Sequence, residues 1–124
     1  MKGHYHAAVW IDHRQARVFH FNTDEWESEV VHSPHGKGHH PSHDTRGEQA
    51  FLEQVTHAVA EAGAILVLGP SGEKTELVKH IEKTHPQLSG RIEAVEAADH
   101  PTDAEIVAHA RRVLKSADRM RPLL

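Results

Sequence analysis

Apolar and polar positions alternate or run together in a pattern that changes period near the middle of the chain. Ala7-Ala8-Val9-Trp10-Ile11-Asp12 is a short apolar run and predicts a strand. His13-Arg14-Gln15 is a tight polar connection, and Ala16 to Phe21 alternates with Val and Phe, predicting a second strand hairpinned to the first. Asn22-Thr23-Asp24-Glu25 is a turn by composition. Trp26 to His32 alternates again and closes an antiparallel meander.

Ser33 to Gly47, SPHGKGHHPSHDTRG, interrupts this pattern with prolines, glycines and almost nothing apolar. Such a segment buries too little surface to offset its ordering entropy, so a long mobile loop is expected over 33–47. From Glu48 the period becomes helical. Phe51, Leu52, Val55, Ala58, Val59 and Ala62 share one face, and Gly63 is the expected C-cap.

Ala64-Ile65-Leu66-Val67-Leu68 is a continuous apolar run, as in a central strand covered on both faces. Gly69-Pro70-Ser71-Gly72 ends it, with Ser71 placed near an N-cap. A helix is expected from about Glu73 to Thr84, with Leu77, Val78 and Ile81 inward and His85-Pro86 as its stop. Arg91 to Ala97 predicts a fifth strand. Thr102 and Glu105 form a capping box for a last helix whose buried stripe is Ile106, Val107, Ala110, Val113 and Leu114. The tail after Met120 is expected to fray.

The element order β-β-β-α-β-α-β-α implies one α/β domain over residues 1–124, with a five-stranded mixed sheet and helices on both faces. It is the order of the ribonuclease H-like three-layer fold. A length of 124 residues suits one such domain. No apolar stretch approaches the roughly 18 residues of a membrane helix, and Met1 to His6 is not a signal peptide. With no cysteine, neither disulfides nor thiolate metal sites are available. A cytoplasmic protein without membrane contact is expected.

Charge alters the picture in one respect. The formal net charge of −4 argues against a general nucleic-acid binder. Yet the chain holds 14 histidines, and protonating all of them would carry −4 to +10. Much of that swing falls near pH ~6.5. His13, His57, His80, His85 and His109 are scattered and read as polar surface. His32, His35, His39, His40 and His43 lie close together, and neutral imidazoles ligate Zn²⁺, Ni²⁺ and Cu²⁺. Their spacing matches no structural zinc pattern, so weak Zn²⁺ or Ni²⁺ binding is expected there and no resident cofactor.

Two motifs lead toward enzymes and stop short. Gly69-Pro70-Ser71-Gly72-Glu73-Lys74-Thr75 sits where a phosphate loop would, but it is one residue short and Glu73 stands where glycine is needed. No nucleotide partner is expected. Asp12 ends the first strand, where ribonuclease H-like nucleases place a metal-binding acid. Such chemistry needs further converging carboxylates, for which Glu48 and Asp99 are the candidates. The simpler role for Asp12 is hydrogen bonding within its own turn.

A family resemblance enters through two segments. Ala8-Val9-Trp10-Ile11-Asp12 with Gln15-Ala16-Arg17-Val18 resembles the opening of the middle domain of eukaryotic and archaeal class I release factors and of pelota. Ile65-Leu66-Val67-Leu68-Gly69 with Lys74-Thr75-Glu76-Leu77 resembles that domain's glycine-ended strand and following helix. The likeness spans roughly residues 7–114, and small stand-alone bacterial proteins of this kind are grouped with translational machinery components. Release factors carry a Gly-Gly-Gln loop; the nearest string here is Gly47-Glu48-Gln49, which reads as a helix start.

The resemblance implies a non-enzymatic, translation-associated binding domain that contacts the ribosome or ribosomal RNA. Arg14, Lys74 and Lys79 are the cations expected to meet phosphate. A His-rich metal-binding or pH-responsive protein and a metal-dependent nuclease are the competing readings.

Overall fold

A computed structural model describes residues 6–34 and 45–120. Three strands come first: β1 (His6–Ile11), β2 (Gln15–Phe21) and β3 (Trp26–His32). Helix α1 (Thr45–Ala58) leads to β4 (Ala64–Gly69), then α2 (Glu73–Thr84), the single-turn α3 (Pro86–Ser89), β5 (Ile92–Ala97) and α4 (Asp103–Met120). The five strands form one mixed sheet in the order β3-β2-β1-β4-β5. β1 pairs antiparallel with β2 and β2 with β3, whereas β1–β4 and β4–β5 are parallel. The expected meander, mixed sheet and helices on both faces are all present.

Alternation of side chains across the central strands explains both faces. Ala7, Val9, Ile11, Ile65 and Val67 point into a core shared with Phe51, Leu52 and Val55 of α1 and with Leu77 and Ile81 of α2. Ala8, Trp10, Leu66 and Leu68 point the other way, onto Ile106, Val107, Ala110 and Leu114 of α4. The uninterrupted apolar sequence of β4 follows from this, since both of its faces are covered. At each edge the cover thins. Trp26 and Val30 of β3 and Val95 of β5 are exposed.

Several boundaries differ from expectation. α1 begins at Thr45, so the polar run expected to be loop through Gly47 gives its last three residues to the helix. Gly47, Glu48 and Gln49 therefore lie in the first helical turns. Gly63 is not a C-cap, because α1 ends at Ala58 and continues as a turn. Val59, Ala60 and Ala62 donate to carbonyls three residues back (Thr56, His57 and Val59) at 3.0–3.3 Å. The Thr56 hydroxyl donates to the Leu52 carbonyl at 2.7 Å, and Arg91 Nη1 caps the carbonyls of Ala60 and Ala62 at 3.3 and 3.0 Å. A cationic side chain thus does the work expected of glycine.

Ser71 does not cap α2. Gly72 is the N-cap and makes no side-chain hydrogen bond, while Ser71 Oγ is buried without a partner. His85 ends α2, yet Pro86 opens α3, since a missing N–H costs nothing at a first helical position. The capping box at α4 forms as expected. Glu105 N donates to Thr102 Oγ1 at 3.2 Å, and Thr102 N donates to Glu105 Oε1 at 2.8 Å. No described helix is long and apolar enough to cross a membrane.

Candidate functional site

The parallel strands β1, β4 and β5 end on one edge of the sheet, and open α/β sheets place ligands outside such carboxyl ends. Three turns meet there: Asp12 to Arg14, Gly69 to Gly72, and Ala98 to Pro101. The first is set by Asp12, whose Oδ1 accepts from the backbone N–H of Arg14 at 2.8 Å and of Gln15 at 3.0 Å. This is the local turn role expected of Asp12.

The second turn approaches the first closely. A Cβ on Gly69 would stand 2.3 Å from the carbonyl oxygen of Ile11, so only glycine fits between the ends of β1 and β4. The third turn is tied down by Trp10, whose indole N–H donates to the carbonyls of Asp99 at 3.0 Å and Ala98 at 3.3 Å.

The first and third turns and the end of β3 border a cleft of about 630 Å³ lined by Trp10, Asp12, Arg14, Arg17, His32 and His100, among others. Arg17 is a structural cation. Its guanidinium lies 4.8 Å over the Trp10 ring, donates to Asp103, and donates to the Pro101 carbonyl at 3.1 Å. Arg14 is exposed. The His100 imidazole lies 5.1 Å from the Trp10 ring with its Nδ1 3.2 Å from Asp99. The cleft therefore offers an exposed guanidinium and two imidazoles, His32 and His100, beside an indole too buried to stack on a ligand.

Of the three expected cations, two reach this edge. Nδ1 of His13 lies 3.1 Å from Oε1 of Glu73, a contact that joins the first turn to the start of α2 and brings Arg14 and Lys74 to the same edge. The Lys74 ammonium donates to the Ser71 carbonyl at 2.7 Å. Lys79 is exposed farther along α2, about 7.5 Å along the axis and about 140° around it from Lys74, and does not share this edge.

His32 is exposed at the end of β3 and faces the cleft. His35, His39, His40 and His43 lie outside the described residues. Among the described residues, His32 joins no group of three metal-ligating side chains. Among the described residues, the candidate nuclease acids Asp12, Glu48 and Asp99 form no such group either; Glu48 hydrogen-bonds Glu73, and the Asp99 side chain is 93% exposed beside His100.

The scattered histidines are not all surface residues. His80 is buried, with Nε2 2.7 Å from Glu53 Oε1 and Nδ1 3.1 Å from Gln49 Oε1. His57 and His85 approach the same Glu53 carboxylate at 2.9 and 3.0 Å. His109 pairs with Glu96 at 2.6 Å. A half-exposed carboxylate partner explains how imidazole is tolerated at position 80, where the sequence pattern pointed to solvent.

Sequence comparison matches no protein-family model and no curated protein. Structural comparison does find similar folds. Archaeoglobus fulgidus Pelota superposes with a TM-score of 0.68 at 13% identity over 92% of this chain and 33% of its own. An archaeal translation termination factor superposes with a TM-score of 0.53 at 16% identity over 93% of this chain and 38% of its own. A translation termination-like factor of S. cerevisiae involved in RNA quality control gives 0.58 at 12% identity, over 94% and 37%. The chain spans about a third of the length of these proteins and shares the fold of one part of them.

Proposed function

We propose that this chain is a non-enzymatic, translation-associated binding domain that contacts the ribosome or its RNA, with a ribonuclease H-like arrangement of its sheet. One observation carries the reading. Nearly the whole chain superposes on part of Pelota and of translation termination factors. The carboxyl edge supplies the surface, with Arg14 of the cleft and Lys74 at the start of α2 as phosphate-facing cations and His32 and His100 of the cleft as auxiliary donors. Gly47-Glu48-Gln49 supports a function other than peptide release, since these residues belong to α1 and the Gln49 carboxamide is engaged by His80. Metal ions are not needed for this role, and a cytoplasmic setting follows from it.

Ribosome co-sedimentation is the test. The chain is expected to pellet with ribosomes at low salt and to be released as salt rises, because phosphate contacts exchange for counterions. An Arg14→Glu, Lys74→Glu double variant should lose most of the pelleted fraction, while Lys79→Glu should lose little. No pelleting of the unaltered chain removes the translation reading. Pelleting that the double variant retains with an intact fold removes this cleft from the interface.

A further inference from the structure

We propose that Glu53, His57 and His85 form a binding site for one Zn²⁺ ion at the junction of α1, α2 and α3, separate from the carboxyl-edge cleft. Two ligands come from one helix face. Glu53 and His57 stand one turn apart on α1, the spacing that stacks side chains above one another. The third is fixed by backbone. His85 N donates to the Ile81 carbonyl at 2.8 Å, Leu88 N donates to the His85 carbonyl at 2.8 Å, and Pro86 holds the chain between the two helices. The ligand atoms are thus set by helices already locked into the core by Leu52, Val55, Ile81 and Leu88.

The distances suit an ion. Glu53 Oε2 lies 2.9 Å from His57 Nε2 and 3.0 Å from His85 Nε2, and one ligand atom from each of the three residues lies within 4.8 Å of the others. Zinc bound tetrahedrally by nitrogen and oxygen at about 2.0–2.2 Å separates its ligands by about 3.3 Å. Shifts of a few tenths of an ångström at the Glu53 contacts would admit the ion. Two imidazoles with one carboxylate are a borderline donor set that favours Zn²⁺ over Mg²⁺ or Ca²⁺. The His57 side is open to solvent, at 69% side-chain exposure, and leaves a fourth position for water.

Buried His80 supplies an independent indication. Its Nε2 sits 2.7 Å from Glu53 Oε1, nearer than His85 Nε2 at 3.2 Å, and its Nδ1 sits 3.1 Å from Gln49 Oε1. An outer hydrogen bond of this kind fixes a ligating carboxylate and leaves its other oxygen for the metal. His80 is a positioning residue and His57 and His85 are ligands. Without an ion, the same geometry would make three imidazoles compete for one carboxylate.

The experiment titrates Zn²⁺ alone into the full chain by calorimetry. The chain carries His35→Ala, His39→Ala, His40→Ala and His43→Ala to remove competing imidazoles. One equivalent is expected to bind, and Co²⁺ in its place should show the visible absorption of a four-coordinate site. His57→Ala, a change on an exposed helix face, should weaken Zn²⁺ binding at least tenfold. His85→Ala should do the same, with circular dichroism checking that the junction still folds. Absence of one-equivalent binding in the loop-substituted chain overturns the proposal. So does one-equivalent binding that His57→Ala leaves unchanged.

Discussion

The imidazole Nδ1 of His13 lies 3.1 Å from the Glu73 carboxyl, and the two partners differ sharply in environment: the His13 side chain is 71% exposed and that of Glu73 only 5%. The contact links the β1–β2 turn to the first residue of α2. Burial pushes the Glu73 carboxyl up to about 7 from the usual 4.5, the neighbouring Glu48 adds to the shift, and His13 opposes it. Glu73 is thus largely protonated just below neutrality, so it repels an anion near this turn less than its charge in sequence implied.

Native-state stability should consequently depend on pH through Glu73. The folded chain keeps a proton that the unfolded chain loses near pH ~4.5, so stability is fullest below that value and declines as pH rises through about 7. The full span is about 3 kcal/mol. Glu73→Gln, a neutral near-isostere, should flatten this decline and be the more stable form above neutrality. Urea unfolding of both chains at pH 5 and pH 8 checks it, and parallel losses in the two would refute the assignment.

Glu53 carries the opposite sign. Its hydrogen bond from His80 and the imidazoles of His85 and His57 favour the ionised form, so its contribution is present above pH ~4.5 and is lost as pH falls through the lowered folded value. Glu53→Gln should therefore shift the onset of acid unfolding to higher pH in metal-free buffer. Circular dichroism followed from pH 6 to pH 2 measures the onset, and an unchanged curve would show that the carboxylate adds nothing.

Gly69→Ala tests the close approach of the two central strands. The new Cβ would meet the Ile11 carbonyl at 2.3 Å, backbone against backbone, with no flexible side chain to move aside. A loss of at least about 2 kcal/mol is expected from such overpacking. Gly90→Ala is the control, since a Cβ there meets nothing within 4 Å. Equal thermal midpoints for the two variants would contradict the packing described at the strand ends.

Thr102→Ala removes one half of the reciprocal cap on α4. The expected cost is about 1 kcal/mol, read as a lower urea midpoint with an unchanged slope. Glu105→Ala should cost a similar amount, and the double variant less than the sum of the two. Strict additivity would mean that the two hydrogen bonds do not act as a unit.

Much of the architecture was legible because its signals are local. The unbroken apolar run of β4 required both of its faces to be covered, and they are. Thr102 and Glu105 announced the start of α4 at a spacing that has one physical meaning. The sites were less legible, because tertiary contact builds them. Arg14, His32 and His100 come from three separate connections, and no spacing relates them.

The histidine-dense run drew attention to metal chemistry at 32–43. The proposed ligand set joins Glu53 and His57 to His85, which is 32 positions from Glu53. Only its first half, an acid and an imidazole four residues apart on a helix, could have been noticed in advance. His80 is buried although its polarity suggested solvent, because Glu53 and Gln49 reach its ring nitrogens from the surface.

The central position of β1 also sets how the chain reaches this structure. β1 meets β2 across a short turn, but it meets β4 only after the whole of β3 and α1 has been bridged, pairing His6 with Ala64 and Trp10 with Leu68. Local pairing is quick to find, and pairing between distant strands must first overcome the entropy of closing a long loop. Closure of β1 onto β4 is therefore the expected barrier to folding. Val67→Ala, at that seam, should slow refolding, while Leu114→Ala, on the late helix α4, should mainly hasten unfolding. Stopped-flow rates for the two variants would distinguish the seam from the helix, and the reverse partition would place the barrier in the packing of α4. An early and persistent β1–β2–β3 meander would leave the backbone N–H and C=O groups on the open edge of β1 unpaired until β4 arrives, making the time before that closure the interval in which a nascent chain is most exposed to mispairing with another strand.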